Sequence, residues 1–203
     1  TFPYKYESEY TMTTANSRTP NVYGYYTSLK EVPQRSKGET FNGSWQAFAM
    51  NDYVLRYSDI MLMRAEALIE LGRLAEARTI INDIRQRAKN SVDKHIEYAK
   101  DQCDIALYPE SYFQDKETAR KCLRWERRLE MAMENGRFFD LRRWGIASET
   151  LNKYFESEKK DQYGEQTYAQ YLKDAKFTPG KNEFYPVPYN QLYYIPGLYK
   201  QNK

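Results

Sequence analysis

Apolar periodicity in two adjacent stretches of the chain predicts a helical hairpin. Leu55, Leu62 and Ile69 share one helical stripe, and more apolar side chains lie on its flank: Ile60, Met61, Leu68 and Leu71. A helix that is apolar around so much of its surface packs on more than one neighbour. After the turn predicted at Leu71-Gly72-Arg73, a second helical stripe follows: Leu74, Ala77, Ile81, Ile84 and Ala88. The pair is typical of a tetratricopeptide hairpin, which needs neighbouring helices to bury its faces.

A third helix is predicted around residues 118 to 135, where apolar side chains recur at helical spacing: Cys122, Trp125, Leu129, Ala132, Met133 and Gly136. Glu126, Glu130 and Glu134 form a second row, one turn apart, and arginines surround it. Guanidinium groups pair with carboxylates through two parallel hydrogen bonds and stack on aromatic rings. We therefore expect these charges to be held against packed surface.

The rest of the chain lacks sustained periodicity. Residues 1–52 mix turn residues with aromatic ones, and Pro109 interrupts the polar stretch before the third helix. Residues 146–182 predict short helices and surface loops, and four residues near the end exclude a continuous helix there: Pro186, Pro188, Pro196 and Gly197. The predicted fold class is mostly α, with tetratricopeptide-like hairpins in an α–α superhelix, long irregular loops and a C-terminal tail.

Several blocks of this sequence, in the same order, resemble the SusD/RagB family of nutrient-binding lipoproteins. The most specific is the arginine-rich signature Glu126-Arg127-Arg128-x-Glu130-x-Ala132-x-Glu134-x-Gly136-Arg137-x-x-Asp140-Leu141-x-Arg143-Trp144-Gly145. Before it come Gly24-Tyr25-Tyr26 and the stretch from Arg56 to Ala67, which leads into Ile81-Asn82-x-Ile84-Arg85. After it come Tyr185-Pro186-Val187-Pro188 and Gln201-Asn202.

The resemblance implies a single SusD/RagB-like C-terminal domain over residues 1–203. We divide it into an aromatic, loop-rich segment (1–52), a helical scaffold (53–145), and loops, short helices and an extended tail (146–203). Because members of the family are usually more than twice this length, we expect the chain to lack an N-terminal half, a signal peptide and a lipid-anchor cysteine.

The resemblance also implies non-catalytic capture of a nutrient, foremost a glycan or oligosaccharide, at the bacterial outer-membrane surface. The implied partners are a SusC-like TonB-dependent transporter, which receives the ligand, and the missing N-terminal half of the same protein. The implied localisation is a surface-exposed lipoprotein of the outer membrane. Two alternatives stay open: peptide capture by the same architecture, and a tetratricopeptide-type module for protein–protein interaction.

Composition narrows the function classes further. A formal net charge of +3, with acidic and basic residues interleaved, gives no reason to expect nucleic-acid binding. No apolar run approaches the roughly 18 residues that a membrane span requires. Twenty tyrosines among 203 residues favour a binding surface. His95 is the single histidine, which excludes a histidine-rich metal site, and we expect neither a metal nor a cofactor.

We assign a set of charged residues to holding helices in register: Arg56, Asp59, Glu66, Glu126, Arg127, Glu130, Glu134, Arg137, Asp140 and Arg143. The alternative is that Glu126 and Glu130 act as the acid–base pair of a glycosidase. Abundant arginines should keep such carboxylates ionised, whereas a general acid needs a raised pKa. The sequence therefore predicts no catalytic residue.

The predicted ligand contacts are aromatic residues that lie among amides and arginines: Tyr10, Tyr23, Trp45, Tyr108 and Tyr112. Sugar rings have apolar faces that stack on aromatics and hydroxyl rims that bond polar groups. Packing of the same side chains on the helices is the alternative. Cys103 and Cys122 either form a disulfide or stay as two thiols.

Overall fold

The computed structural model describes residue 30 and residues 40–42, 45–47, 53–95, 104–158 and 172–202. Most of these residues are helical, which confirms the predicted fold class. The helices are α1 (Tyr57–Glu70), α2 (Leu74–His95), α3 (Lys116–Glu130), α4 (Arg137–Arg143), α5 (Ala147–Glu158) and α6 (Tyr189–Tyr194), with a 3-10 helix at Glu110–Phe113.

The chain divides into two compact units. The first is Asn51–Arg137, and the second combines Thr1–Met50 with Phe138–Lys203. Each unit has its own buried core among the described residues. The organisation as one domain with three segments stays a prediction.

The first unit begins with the helical hairpin that the apolar pattern predicts. Gly72 takes a φ of +79° between α1 and α2, which is a backbone conformation that favours glycine. The Arg73 N–H then donates to the Leu68 carbonyl over 2.8 Å, and this bond closes the end of α1. Helix α2 continues past Ala88, where the predicted stripe ends, as far as His95.

Helix α3 packs on both helices of the hairpin. The Asp115 carboxylate accepts a hydrogen bond from the Thr118 N–H over 2.8 Å, so Asp115 caps the start of α3. The core that the three helices and the 3-10 helix enclose has these buried residues: Leu62, Ala65, Leu68, Ile69, Ala77, Ile81, Ile84, Phe113, Ala119, Cys122 and Leu123. The predicted packing of α1 on more than one neighbour is confirmed.

The predicted apolar stripe of α3 is only partly buried. Cys122 lies in the core, but Trp125 and Leu129 are about half exposed, and the buried residues include Glu126 and Arg127, as expected of charges held against packed surface. The predicted extent is wrong, because α3 ends at Glu130 and Met133 and Asn135 have φ values of 66° and 61°. A left-handed backbone at two positions cannot continue a right-handed helix. The stripe from Cys122 to Gly136 therefore does not form one buried surface.

The second unit has a smaller core built from α4, α5 and the segment near residue 177. Leu141, Ala147 and Phe177 are buried there. The Asn152 side chain accepts from the Phe177 N–H over 2.8 Å and donates to the Phe177 carbonyl over 3.0 Å. Asn152 thus ties an irregular segment to α5 through both of its amide atoms.

Two regions that the sequence predicts as irregular or extended contain regular structure. Strands β1 (Thr40–Asn42) and β2 (Trp45–Ala47) pair antiparallel, with Thr40 opposite Ala47. The tail contains the helix α6, which Pro188 precedes and Pro196 follows after one residue. The prolines exclude a long helix, as expected, but they leave room for one of six residues.

Within the described ranges, no helix combines the length and the hydrophobicity needed to cross a bilayer. The tetratricopeptide type of the hairpin and the superhelical arrangement stay predictions.

Candidate functional site

A cluster of ion pairs joins the helices of the first unit, and we call it the arginine–carboxylate network: Arg56, Arg85, Arg87 and Arg127 with Asp59, Glu126, Glu130 and Glu134. Its most buried pair links α1 to α3. Arg127 Nη1 donates to Asp59 Oδ1 over 2.6 Å, and both residues are buried. We expect a buried pair of this kind to hold two helices in one register, because sliding either helix would leave a charge unpaired.

Glu126 is buried at the centre of α3 and pairs with α2. Arg85 Nη1 donates to Glu126 Oε2 over 2.7 Å, and Arg85 Nε donates to the Ala106 carbonyl over 2.7 Å. Burial nevertheless raises the pKa of Glu126, against the opposing effect of the Arg85 hydrogen bond. The expectation that arginines keep the pKa of these carboxyls low is therefore wrong at Glu126, because desolvation outweighs the guanidinium.

Glu130 and Glu134 share the guanidinium of Arg56, which directly precedes α1. Arg56 Nη1 donates to Glu130 Oε1 over 2.8 Å and Arg56 Nε to Glu134 Oε2 over 2.9 Å. Arg87 Nη2 binds the other oxygen of Glu130 over 2.5 Å. Burial disfavours the charged form of Arg56, but the hydrogen bonds that Arg56 donates to Glu134 and Glu130 outweigh burial, and the pKa of Arg56 is raised.

The remaining residues of the predicted signature lie in different surroundings. Glu66 is half-buried on α1, and Arg137 is half-buried at the start of α4. In the second unit, Asp140 is buried and accepts a hydrogen bond from Arg143 Nε over 2.9 Å. The Arg143 guanidinium also stacks over the Trp144 ring, 4.9 Å from its centroid. Asp140 and Arg143 are three residues apart in sequence, so their ion pair orders α4 only locally.

A pocket of about 240 Å³ opens beside the network in the first unit. Its lining is part apolar and part polar: Arg56, Tyr57, Ser58, Met61, Asp83, Ile84 and Arg87. Neither Glu126 nor Glu130 lines it, so the two glutamates that could be imagined as an acid–base pair do not face this pocket. The volume lies below the roughly 300 Å³ at which sites for larger ligands begin, so the pocket fits a small group.

Tyr108 and Tyr112, two predicted ligand contacts, lie close together, with ring centroids 6.2 Å apart. Tyr108 is held by its surroundings: its N–H donates to Asn82 Oδ1 over 2.9 Å, and the Arg85 guanidinium lies 4.4 Å from its ring centroid. Burial raises the pKa of Tyr108 to about 12. Tyr112 is about half exposed. Of the two, Tyr112 has the more accessible ring and Tyr108 the more packed one.

The other predicted contacts cannot be placed in a site. Tyr10 and Tyr23 lie outside the described residues, and Trp45 is described only as part of β2. Cys103 also lies outside them, while Cys122 is a buried free thiol. In the part of the chain that the structure describes, no group of three or more His, Cys, Asp or Glu residues is arranged to hold a metal ion.

Exposed tyrosines of the tail are candidate contacts that the sequence interpretation missed. Tyr185, Tyr189, Tyr193 and Tyr194 are all highly exposed, and the last three lie on α6. Their signal in the sequence is a run without charge from Phe184 to Tyr199. The prolines of that run exclude a long helix, and the stretches between them are too short for its aromatic residues to show a sustained helical or strand period.

Comparison with known proteins decides the family. The sequence model of the SusD family matches residues 3–203. This chain belongs to the SusD family. It is also similar to SusD-like protein P38 of Formosa agariphila, with 29% identity over 136 residues, which make up 64% of the chain and 25% of the relative. The match thus spans about a quarter of the length of that curated relative.

Membership of the SusD family agrees with the resemblance that the arginine-rich signature carries. In this SusD-family chain, the signature residues Glu126, Arg127, Glu130 and Glu134 all take part in ion pairs with residues outside α3. The geometry of the network can stabilise helix packing. The accessible groups that could contact a ligand lie at the pocket, whose lining includes Arg56 and Arg87 of the network, at Tyr112 and on the tail.

Proposed function

We propose that the chain takes part in non-catalytic capture of a nutrient, foremost a glycan, at the outer surface of the bacterial outer membrane. The observation that carries the proposal is the match to the SusD family along residues 3–203. Exposed aromatic side chains on both units support it, because sugar rings stack on such faces. The captured ligand would pass to a SusC-like TonB-dependent transporter, and the protein would be a surface lipoprotein.

The absence of catalysis is part of the proposal. Glu126 and Glu130 are each bound by guanidinium groups and lie in the helix interfaces of the first unit. The raised pKa of Glu126 alone would suit a general acid. An acid must also reach the glycosidic oxygen, and a side chain that is buried and held by Arg85 does not. Incubation with polysaccharide should therefore release no sugar.

Affinity electrophoresis of the chain through gels that contain single polysaccharides tests glycan capture directly. We expect the chain to migrate more slowly in at least one of these gels than in a blank gel. A control protein of similar size that binds no polysaccharide should migrate equally in all of them. Failure to bind any polysaccharide, together with binding of a tryptic peptide mixture in calorimetry, would favour the peptide alternative instead.

A pull-down of binding partners distinguishes nutrient uptake through a transporter from the alternative of a module for protein–protein interaction. A tagged chain should recover a TonB-dependent barrel from detergent-solubilised outer membranes of its source cells. Recovery of a soluble protein that competes with the exposed face of the hairpin, and of no barrel, would favour a tetratricopeptide-type module.

A further inference from the structure

The tail of the second unit contains a stretch without charge in a chain that is rich in charge. Lysine, arginine, aspartate and glutamate make up 29% of the chain, yet none of them occurs from Phe184 to Tyr199. The stretch is bounded by Glu183 and Lys200. The Arg142 guanidinium lies 5.3 Å from the Phe184 ring at the start of the stretch, whereas α6 itself carries no ionic group. A helix of this composition offers no ionic attraction of its own to a charged ligand, so it suits a neutral one.

The aromatic side chains of α6 are highly exposed. Tyr189, Tyr193 and Tyr194 on α6 are 76%, 69% and 74% exposed, whereas Leu192 between them is half-buried. The rings of Tyr189 and Tyr193 are nearly parallel, with an angle of 19° and centroids 6.4 Å apart. Tyr194 meets Tyr193 edge-on at 5.8 Å. We call Tyr189, Tyr193 and Tyr194 the tyrosine platform.

Hydrogen bonds fix the backbone on either side of the platform. The Gln201 side chain accepts from the Val187 N–H over 2.9 Å and donates to the Val187 carbonyl over 3.0 Å. Asn202 Nδ2 donates to the Tyr185 carbonyl over 3.0 Å. These bonds join the segment before α6 to the segment after it and close a loop. A loop closed in this way presents its side chains with less loss of entropy on binding.

We propose that the tyrosine platform is a binding subsite for a neutral oligosaccharide segment. Sugar rings would stack on the exposed faces of Tyr189 and Tyr193, and their hydroxyls would bond the phenol groups and the exposed amides of Asn190 and Gln191. This inference rests on the proposed nutrient capture, and it specifies for that function a class of ligand and the surface that binds it. Docking of a protein is the competing use of the platform.

The absence of charged side chains on α6 and the polar groups around its rings favour a sugar over a protein as the ligand of the platform. The exposed side chains of α6 are tyrosines, an asparagine and a glutamine, and each of them carries a hydrogen-bonding group. Its one aliphatic side chain, Leu192, is half-buried. A sugar chain needs many hydrogen bonds around small apolar faces, and this helix offers that mixture.

The test is calorimetric titration of the full chain with neutral and anionic polysaccharides. Laminarin, arabinoxylan and galactomannan are the neutral probes, and polygalacturonate and alginate are the anionic ones. We expect binding of at least one neutral probe, with an affinity that added sodium chloride leaves unchanged, since no charge takes part. Binding of the anionic probes alone would overturn the proposal.

Single substitutions locate the subsite. Tyr189→Ala and Tyr193→Ala should each weaken binding about 2- to 10-fold, which corresponds to the loss of one aromatic contact. Tyr193→Phe keeps the ring and should bind nearly as well as the wild type. Tyr154→Ala on α5 is the matched control, because Tyr154 is also exposed (50%) and lies outside the platform. Circular dichroism checks that each variant keeps its helices.

The outcomes separate this inference from the proposed function. If the wild type binds a neutral polysaccharide and the alanine variants bind equally well, nutrient capture stands and the platform is wrong. If no polysaccharide binds while Tyr189→Ala abolishes self-association or the capture of a transporter barrel, the platform contacts protein and the inference fails. Loss of binding in the platform variants, with Tyr154→Ala unchanged, supports it.

Discussion

The carboxylate of Glu130 lies between two guanidinium groups that come from outside its own helix. Arg56 precedes α1 and Arg87 belongs to α2, and the Glu130 side chain is only 8% exposed. Without Glu130, Arg56 keeps Glu134 as a partner, and the Arg87 side chain is 56% exposed and can be solvated. The loss is therefore that of charge-assisted hydrogen bonds to a buried carboxylate, about 1.5–3 kcal/mol, and we expect this position to be more sensitive than the exposed ion pairs of the first unit.

Glu130→Ala should lower the free energy of unfolding by about 1.5–3 kcal/mol in urea titration. The matched control is Glu76→Ala, which removes an exposed partner of Arg73 at the start of α2 and should leave the midpoint unchanged. An intact midpoint for Glu130→Ala, together with lost polysaccharide binding, would show that Glu130 contacts ligand and does not hold the helices.

Tyr108 gives a pH-dependent test of packing at residue scale. Its pKa is raised by burial from 10.0 to about 12, so the folded state keeps the phenol proton after the unfolded chain has lost it. The stabilising contribution is complete below pH 10 and is lost as the pH rises towards 12.

Tyr108→Phe should remove this contribution. Between pH 10 and 12 the variant should lose about 1–2 kcal/mol less stability than the wild type, after allowance for solvent screening of a half-buried ring. Urea titrations at fixed pH values across that window measure the difference. Tyr112→Phe, at a more exposed ring, is the control. Parallel curves for the wild type and Tyr108→Phe would contradict the buried environment of the phenol.

At the scale of elements, apolar periodicity located the hairpin and its core but only part of the buried face of α3. On α1 and α2 the predicted stripes contain the buried side chains Leu62, Ile69 and Ile81. On α3 the same reasoning selected Trp125 and Leu129, which are half exposed. The charge pattern predicts that the carboxylates and arginines of α3 are held against packed surface, but it does not name the partners that Glu126 and Arg127 find on the other helices.

Two leucines on opposite faces of α3 test which face is in the core. Leu123 is 1% exposed and Leu129 is 50% exposed. Leu123→Ala should lower the free energy of unfolding by about 2–5 kcal/mol, whereas Leu129→Ala should change it by less than about 1 kcal/mol. Urea titration of the two variants side by side gives the comparison. Equal losses of unfolding free energy, or a larger loss for Leu129→Ala, would support the face of α3 that the sequence predicts.

At the scale of the whole molecule, the sequence indicated a binding surface without locating it. Twenty tyrosines favoured such a surface, yet their number says nothing about which rings are exposed. Tyr108 was predicted as a ligand contact, and Asn82 and Arg85 hold it in the protein. The platform of α6 depends on hydrogen bonds between the side chains of Gln201 and Asn202 and the backbone before α6. These bonds join residues 14 to 17 positions apart and have no periodic signature in the sequence.

Each ion pair that the structure describes in the arginine–carboxylate network has both partners in the first unit. These pairs join residues within Asn51–Arg137, and the larger core cluster lies within the same limits. We therefore expect residues 51–137, expressed alone, to be helical in circular dichroism and to unfold in one cooperative urea transition. Leu62→Ala in the same piece, which removes a fully buried side chain, should lower its stability by about 2–5 kcal/mol. A piece that unfolds gradually, and that Leu62→Ala does not alter, would mean that the core of the first unit forms only with the second unit present.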